Sequence, residues 1–380
     1  MRIRRILLGL AAAFLGGAGS VVMAVCGPFS DVDADGFCPS VLEIFYLGLT
    51  TGHTPTTYDP SSDVTRLQMA AFLSRTVDAV LKRSSRHAAL GQFWTPQNGD
   101  VVGVTTIGGA ASFPAADGTD IWVPNAGGGG SVARVRASDG RLLEAWTAEG
   151  ASRARPAAGG IIVAGTVGLG GRLYRINPAE PSGSAPIVAS LSDQPWDLAF
   201  DGARVWTTNE MSLSIVTPGP TLPWTVTSVP FLSIPIGVLF DGTNIWVTDH
   251  PGNYGALEKL DSSGAVLQTV KVGLVPEWPV FDGANIWVPD SSYFTVSVVR
   301  AGSGTVLATL TGNGLHYPAQ AAFDGERILV TNEDSVSLWK AADLSPLGSF
   351  SLGSGSYPRF VCSDGINFWI TFRGNQLARF

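Results

Sequence analysis

The sequence predicts an all-β fold, a seven-bladed β-propeller, preceded by a small N-terminal α-helical module. A phrase of the form Asp-Gly-x-x-Ile-Trp-Val recurs along residues 100–380, most clearly over Phe240–Asp249 and Phe281–Asp290. Aligned on its Trp, the phrase puts Trp122, Ile162, Trp206, Trp246, Trp287, Leu329 and Trp369 at one equivalent position, in steps of 40 to 44 residues. Seven units of about 41 residues suit four-stranded propeller blades. The composition agrees, because 46 Gly and 24 Pro punctuate a chain in which only 14% of residues are charged, as expected of many short strands joined by turns.

Taken from the N-terminus, residues 1–24 read as an export signal. Arg2, Arg4 and Arg5 give a basic start, Ile6 to Ala13 an apolar run, and Val22-Met23-Ala24 a small-residue cleavage pattern. An exported chain resides in the periplasm, at the cell surface or outside the cell, where Cys26 and Cys38 are close enough in sequence to form a disulfide. Cys362, in an apolar stretch, reads as a buried structural thiol. The net charge of −7 offers no field for nucleic acid.

Residues 25–83 carry two helical patterns around a polar, turn-rich stretch. Thr65-Arg66-Leu67-Gln68 is a capping box, and Met69, Phe72, Leu73, Thr76, Val77, Val80 and Leu81 follow at helical spacing. Asp31, Asp33, Asp35 and Gly36 spell the opening of a calcium loop, but Leu42 stands where its bidentate Glu belongs. The segment therefore reads as an acidic turn, with calcium or another divalent ion as the alternative; no other cofactor is expected. Four segments, in order, resemble the S-layer homology modules of bacterial cell envelopes: Phe29-Ser30-Asp31-Val32, Leu47 to Gly52, Tyr58-Asp59-Pro60, and Val64 to Leu73. The resemblance implies envelope association, with Arg66 and its neighbours contacting cell-wall polysaccharide. A helix-start ion pair is the other reading of Arg66. Residues 84–99 read as a polar linker.

Each unit of residues 100–380 reads as four strands. In the fourth full unit an inner strand meets a turn at Asp241-Gly242, and Asn244 to Thr248 form the second strand. Leu257 to Leu260 form the third and Val266 to Val270 the fourth. The last unit stops after its third strand, while Val101 to Ile107 precede the first unit as an unmatched fourth strand. Pairing the two would close the ring and remove two sheet edges. The repeated Trp residues read as core, since stacked blades cover both faces of their inner strands. The blades resemble the NHL and YVTN class of bacterial propellers, a likeness that implies fold more than activity.

Function is expected where the units stop agreeing, at the face formed by the second-to-third and fourth-to-first connections. Asn125, Asn209 and Asn332 recur there and read as strand caps. Asp249, His250, Glu277, Trp278, His316, Tyr317 and Arg359 depart from the repeat and read as binding residues, with Arg155 and Asp197 also near the mouth. The expected function is non-catalytic binding or scaffolding in the cell envelope, through a small polar ligand or a protein at this face. No nucleophile paired with a base, nucleotide loop or cysteine cluster is visible. The blades also resemble streptogramin lyases, which implies the alternative of a propeller lyase or hydrolase using His250, Glu277 and His316 near a metal. A donor set of His250, Asp249, Glu277 and Asp290 would serve it, but no Glu-x-His pair occurs, so that family's catalytic positions are not carried over.

Overall fold

The computed structural model describes residues 104–380 except 128, 231, 232 and 354, together with 28–32, 38, 41, 53–54, 56–65 and 69. The chain divides into two compact units, Met1–Ala88 and Ala89–Phe380. The expected export signal, Cys26, Arg66 and the linker to residue 99 lie outside the described residues.

In the first unit Phe29, Val32 and Val41 are buried with Cys38 and Tyr58 packed against them. The Asp31 carboxylate accepts the amides of Tyr58 and Asp59, both at 2.7 Å, which joins two segments far apart in sequence. Met69 donates its amide to the Thr65 carbonyl at 2.9 Å, while residues 66–68 and 70–81 of the expected helix lie outside the described residues. Cys38 is disulfide-bonded and Cys362 is free.

The described residues of the second unit form seven antiparallel four-stranded sheets, the seven blades of a propeller. The strand Val104–Thr106 pairs with Gln376–Arg379 in the seventh blade, with Val104 opposite Ala378 and Thr106 opposite Gln376. The N-terminal strand thus supplies the outer strand of the last blade, and the ring closes without a free edge on its third strand.

The repeated phrase folds the same way in most blades because its aspartate has two jobs. Asp241 Oδ1 accepts the amides of Thr243 and Asn244, closing the turn, while Oδ2 accepts the indole N–H of Trp246 at 2.7 Å. Trp122, Trp206, Trp287 and Trp369 make the same bond to Asp117, Asp201, Asp282 and Asp364, at 2.7 to 2.8 Å. A fully buried indole is thereby left with its one donor satisfied. The two units without this Trp depart in ways that fit. Asp324 turns its second oxygen to Arg327 Nε at 2.7 Å instead. In the second blade Ala157 pairs with Gly160, so Ala158 and Gly159 make a two-residue turn with φ of 50° and 71°. That tighter turn has no place for the aspartate cap.

Candidate functional site

Each inner strand starts from the same face of the ring, and most of them start with a bulge. The pairing register slips between Ala151 and Arg153, Pro195 and Asp197, Pro235 and Val238, and Pro358 and Phe360. A bulge leaves one residue unpaired and re-aims its side chain. That residue lies five positions before the turn aspartate. Across the seven blades the position is held by Ser112, Ser152, Trp196, Ile236, Glu277, Ala319 and Arg359, and all seven line one central cavity of about 910 Å³. The volume lies within the roughly 300–1,000 Å³ usual for small-ligand sites.

The next residues of these strands, Gly237 apart, bring side chains together below the cavity as a plug. Phe113, Arg153, Asp197, Gly237, Trp278, Gln320 and Phe360 hold this position, and parallel bridges join Phe113 to Arg153 and Trp278 to Gln320. Phe113 stacks on Phe360, with Trp278 edge-on to both at 4.8 and 5.7 Å. The Arg153 guanidinium lies over the Phe113 ring. The plug also ties blade to blade: Asp197 Oδ2 accepts the Val238 amide at 2.9 Å, and Gln320 Oε1 accepts the Val361 amide at 3.0 Å.

Bulging frees backbone groups that must find other partners. A threonine two residues after the repeat Trp position supplies them. Thr248 Oγ1 accepts the Gly237 amide of its own blade at 2.8 Å and donates to the Glu277 carbonyl of the next at 3.0 Å. Thr331 accepts from the Gln320 amide and donates to the Arg359 carbonyl, each at 3.1 Å. Thr208 donates to the Ile236 carbonyl at 2.7 Å. All three threonines are fully buried, so the backbone beneath Ile236, Glu277 and Arg359 is fixed by the preceding blade.

Of the residues singled out from sequence, Glu277, Trp278, Tyr317 and Arg359 meet at the central cavity. Glu277 accepts the Ser291 hydroxyl at 2.7 Å; burial pushes its carboxyl up, and the charge of Arg359 partly offsets this. His316 sits at the rim, its Nδ1 3.2 Å from Glu333 Oε2 and its ring against Phe294 and Tyr317. His250 lines a smaller neighbouring cavity of about 440 Å³ with Glu210, Met211 and Ile234, and Trp196 lines both cavities.

Asp249 lines neither of these cavities. It is 2% exposed, accepts the Ser233 hydroxyl, and shares a position with Asn125, Asn209 and Asp290 at the end of the second strand. Burial raises its carboxyl. Its Oδ1 is buried without a hydrogen-bond partner among the described residues, whereas Asp290 is saturated by the amides of Leu274, Val275, Ser292 and Tyr293. Among the described residues no three His, Cys, Asp or Glu side chains are grouped to hold a metal ion, so the donor set of His250, Asp249, Glu277 and Asp290 is not assembled. Arg155, expected at the mouth, is exposed and absent from the lining, whereas Arg153 is in it.

No protein-family model and no curated protein sequence matches the chain. Among solved structures 1203 chains match it, and a shared fold does not by itself imply an activity. One is the crystal structure of a catalytically inactive virginiamycin B lyase from Staphylococcus aureus with quinupristin. It is 12% identical, with a TM-score of 0.59 over 73% of this chain and 98% of that one. At that identity the likeness is one of fold, and it agrees with the seven-bladed ring.

Proposed function

We propose that the propeller is a binding module whose ligand sits in the central cavity, within an exported envelope protein. The observation that carries this reading is the bulge position. Seven equivalent side chains, one per blade, converge on one cavity, and the repeat conserves their backbone while varying their chemistry from Ser to Trp, Glu and Arg. Aromatic walls beside opposite charges suit recognition of a small polar molecule or a protein segment. Ligand-observed NMR of the whole protein against a fragment mixture tests it. Binding that is lost in Trp196→Ala and Glu277→Ala is expected; binding indifferent to both substitutions contradicts the reading.

The N-terminal unit is proposed as the envelope anchor, of the S-layer homology type, with Arg66 toward cell-wall polysaccharide. Its support is the tie between Asp31 and the amides of Tyr58 and Asp59, which unites two of the four segments behind the resemblance. The protein is proposed to act at the cell surface or in the periplasm.

A lyase is the second reading. It draws support from the lyase fold neighbour and from the His316 and Glu333 pair beside the cavity, a carboxylate-oriented imidazole of the kind that moves protons. Incubation with quinupristin followed by mass spectrometry decides it. Conversion that disappears in His316→Ala supports the lyase, and unchanged quinupristin removes this support.

A further inference from the structure

The plug holds a cation in an unusual position. Arg153 is only 7% exposed, yet it lines the central cavity. Its Nη1 donates to the Ser152 carbonyl at 3.2 Å, and its buried Nε has no hydrogen-bond partner. The carboxylate beside it, Asp197, stays 3.8 Å from Nε and spends its oxygens on the amides of Leu198 and Val238. A buried guanidinium normally has its fork filled, because an uncompensated charge is costly away from water. Here the fork is not filled by the protein.

The arginines around it are spare in the same sense. Arg359 and Arg373, both in the lining, rest over Phe360 and Tyr357 and are hydrogen-bonded to no carboxylate among the described residues. Elsewhere in the ring Arg134, Arg136, Arg172, Arg204 and Arg327 each have a carboxylate within 3.1 Å, while Arg141, Arg155, Arg175 and Arg300, scattered outside the cavity, have no carboxylate ion pair among the described residues. The two carboxylates of the lining are turned to other partners, Glu277 to Ser291 and Glu333 to His316. A protein of net charge −7 thus keeps three arginines without hydrogen-bonded carboxylates in a single cavity. The wall next to them is aromatic, formed by Trp278, Trp196, Tyr317 and Tyr357.

We infer that the central cavity takes a small organic anion, a carboxylate on a flat apolar body, with the carboxylate between Arg153 and Arg359 and the body against Trp278. The inference rests on the binding reading above and adds the class of ligand. Arg153 supplies a fixed charge at the floor, since burial and the Phe113 ring leave it little freedom. Arg359 supplies the accessible charge, on a backbone that Thr331 holds in place. Planar, bidentate guanidinium groups recognise carboxylates by geometry as well as charge.

The test titrates the full chain with benzoate, phenylacetate and indole-3-acetate, and with the amide and amine counterparts of each, by ligand-observed NMR and calorimetry. At least one acid binds, and its amide and amine bind at least about tenfold more weakly. Arg359→Gln weakens the acid by about tenfold or more without changing the melting temperature, as befits an exposed side chain. Arg153→Met also weakens the acid by about tenfold or more, and Arg300→Gln, away from the cavity, does not. Acid and amide binding equally well overturns the anion inference and leaves the binding reading standing. Acid binding that survives Arg359→Gln and Arg153→Met places the anion elsewhere and also overturns it. If no acid, amide or amine binds, the anion inference fails together with the support for a small ligand. Should Arg153→Met not fold, Arg359→Gln decides.

Discussion

The carboxylate of Asp241 is shared between two turn amides and the buried indole of Trp246, and this local bond explains why the two residues travel together. Asp241→Ala leaves the indole N–H without a partner and should cost about 1–3 kcal/mol in urea denaturation. Adding Trp246→Leu to it should cost less than the two single losses combined, because the orphaned donor is gone. Thr331→Val tests the positioning role. It should weaken ligand binding at the cavity through Arg359 while lowering stability by about 1–2 kcal/mol, read by NMR titration and denaturation on the same variant. Glu277 gives a pH prediction. Burial raises its folded-state pKa above the unfolded value, so its contribution to stability is fully present below the ordinary glutamate range and is lost as pH rises through the raised value. Glu277→Gln should therefore flatten the fall of melting temperature across that window, and an identical fall in both proteins would remove Glu277 as its cause.

Strands and bulges were unequally legible in the sequence. The blade phrase reads directly because its bonds span five residues, and the closing strand reads from two ends that lack complementary parts. The bulges do not read directly, because a one-residue slip of register changes which side chain enters the channel. That is why Arg155 looked like the mouth residue and Arg153 did not. The signal was nevertheless present: counted back five positions from each turn aspartate, the sequence names Ser112, Trp196, Ile236, Glu277, Ala319 and Arg359, and the plug follows at the next residue. Asp249 was expected at the binding face and lies buried at the end of the second strand. It shares the strand-end position of Asn125 and Asn209, and its burial, which the sequence does not display, takes it off the surface. At this scale the closing strand carries its own prediction. Deleting residues 104–107 removes three backbone pairings and should cost about 2–4 kcal/mol, with the exposed edge of Gln376–Arg379 promoting association. A variant that stays monomeric with unchanged stability would mean that closure adds nothing to the ring.

As a whole molecule, the chain combines a repeated frame with one unrepeated cavity. The frame accounts for most of the buried residues, and a frame of this kind does not by itself imply an activity. The N-terminal unit has its own test. Deleting residues 25–83 should release the propeller from the cell envelope on fractionation, and retention would mean that the unit is not the anchor. The molecule is proposed to work through the cavity ringed by the seven equivalent inner-strand residues. A crystallographic fragment screen of the whole protein tests it most directly. Bound fragments should cluster in the central cavity, in contact with Trp196, Trp278 and Arg359. Fragments gathered in the His250 cavity or on the outer strands, with the central cavity empty, would contradict it.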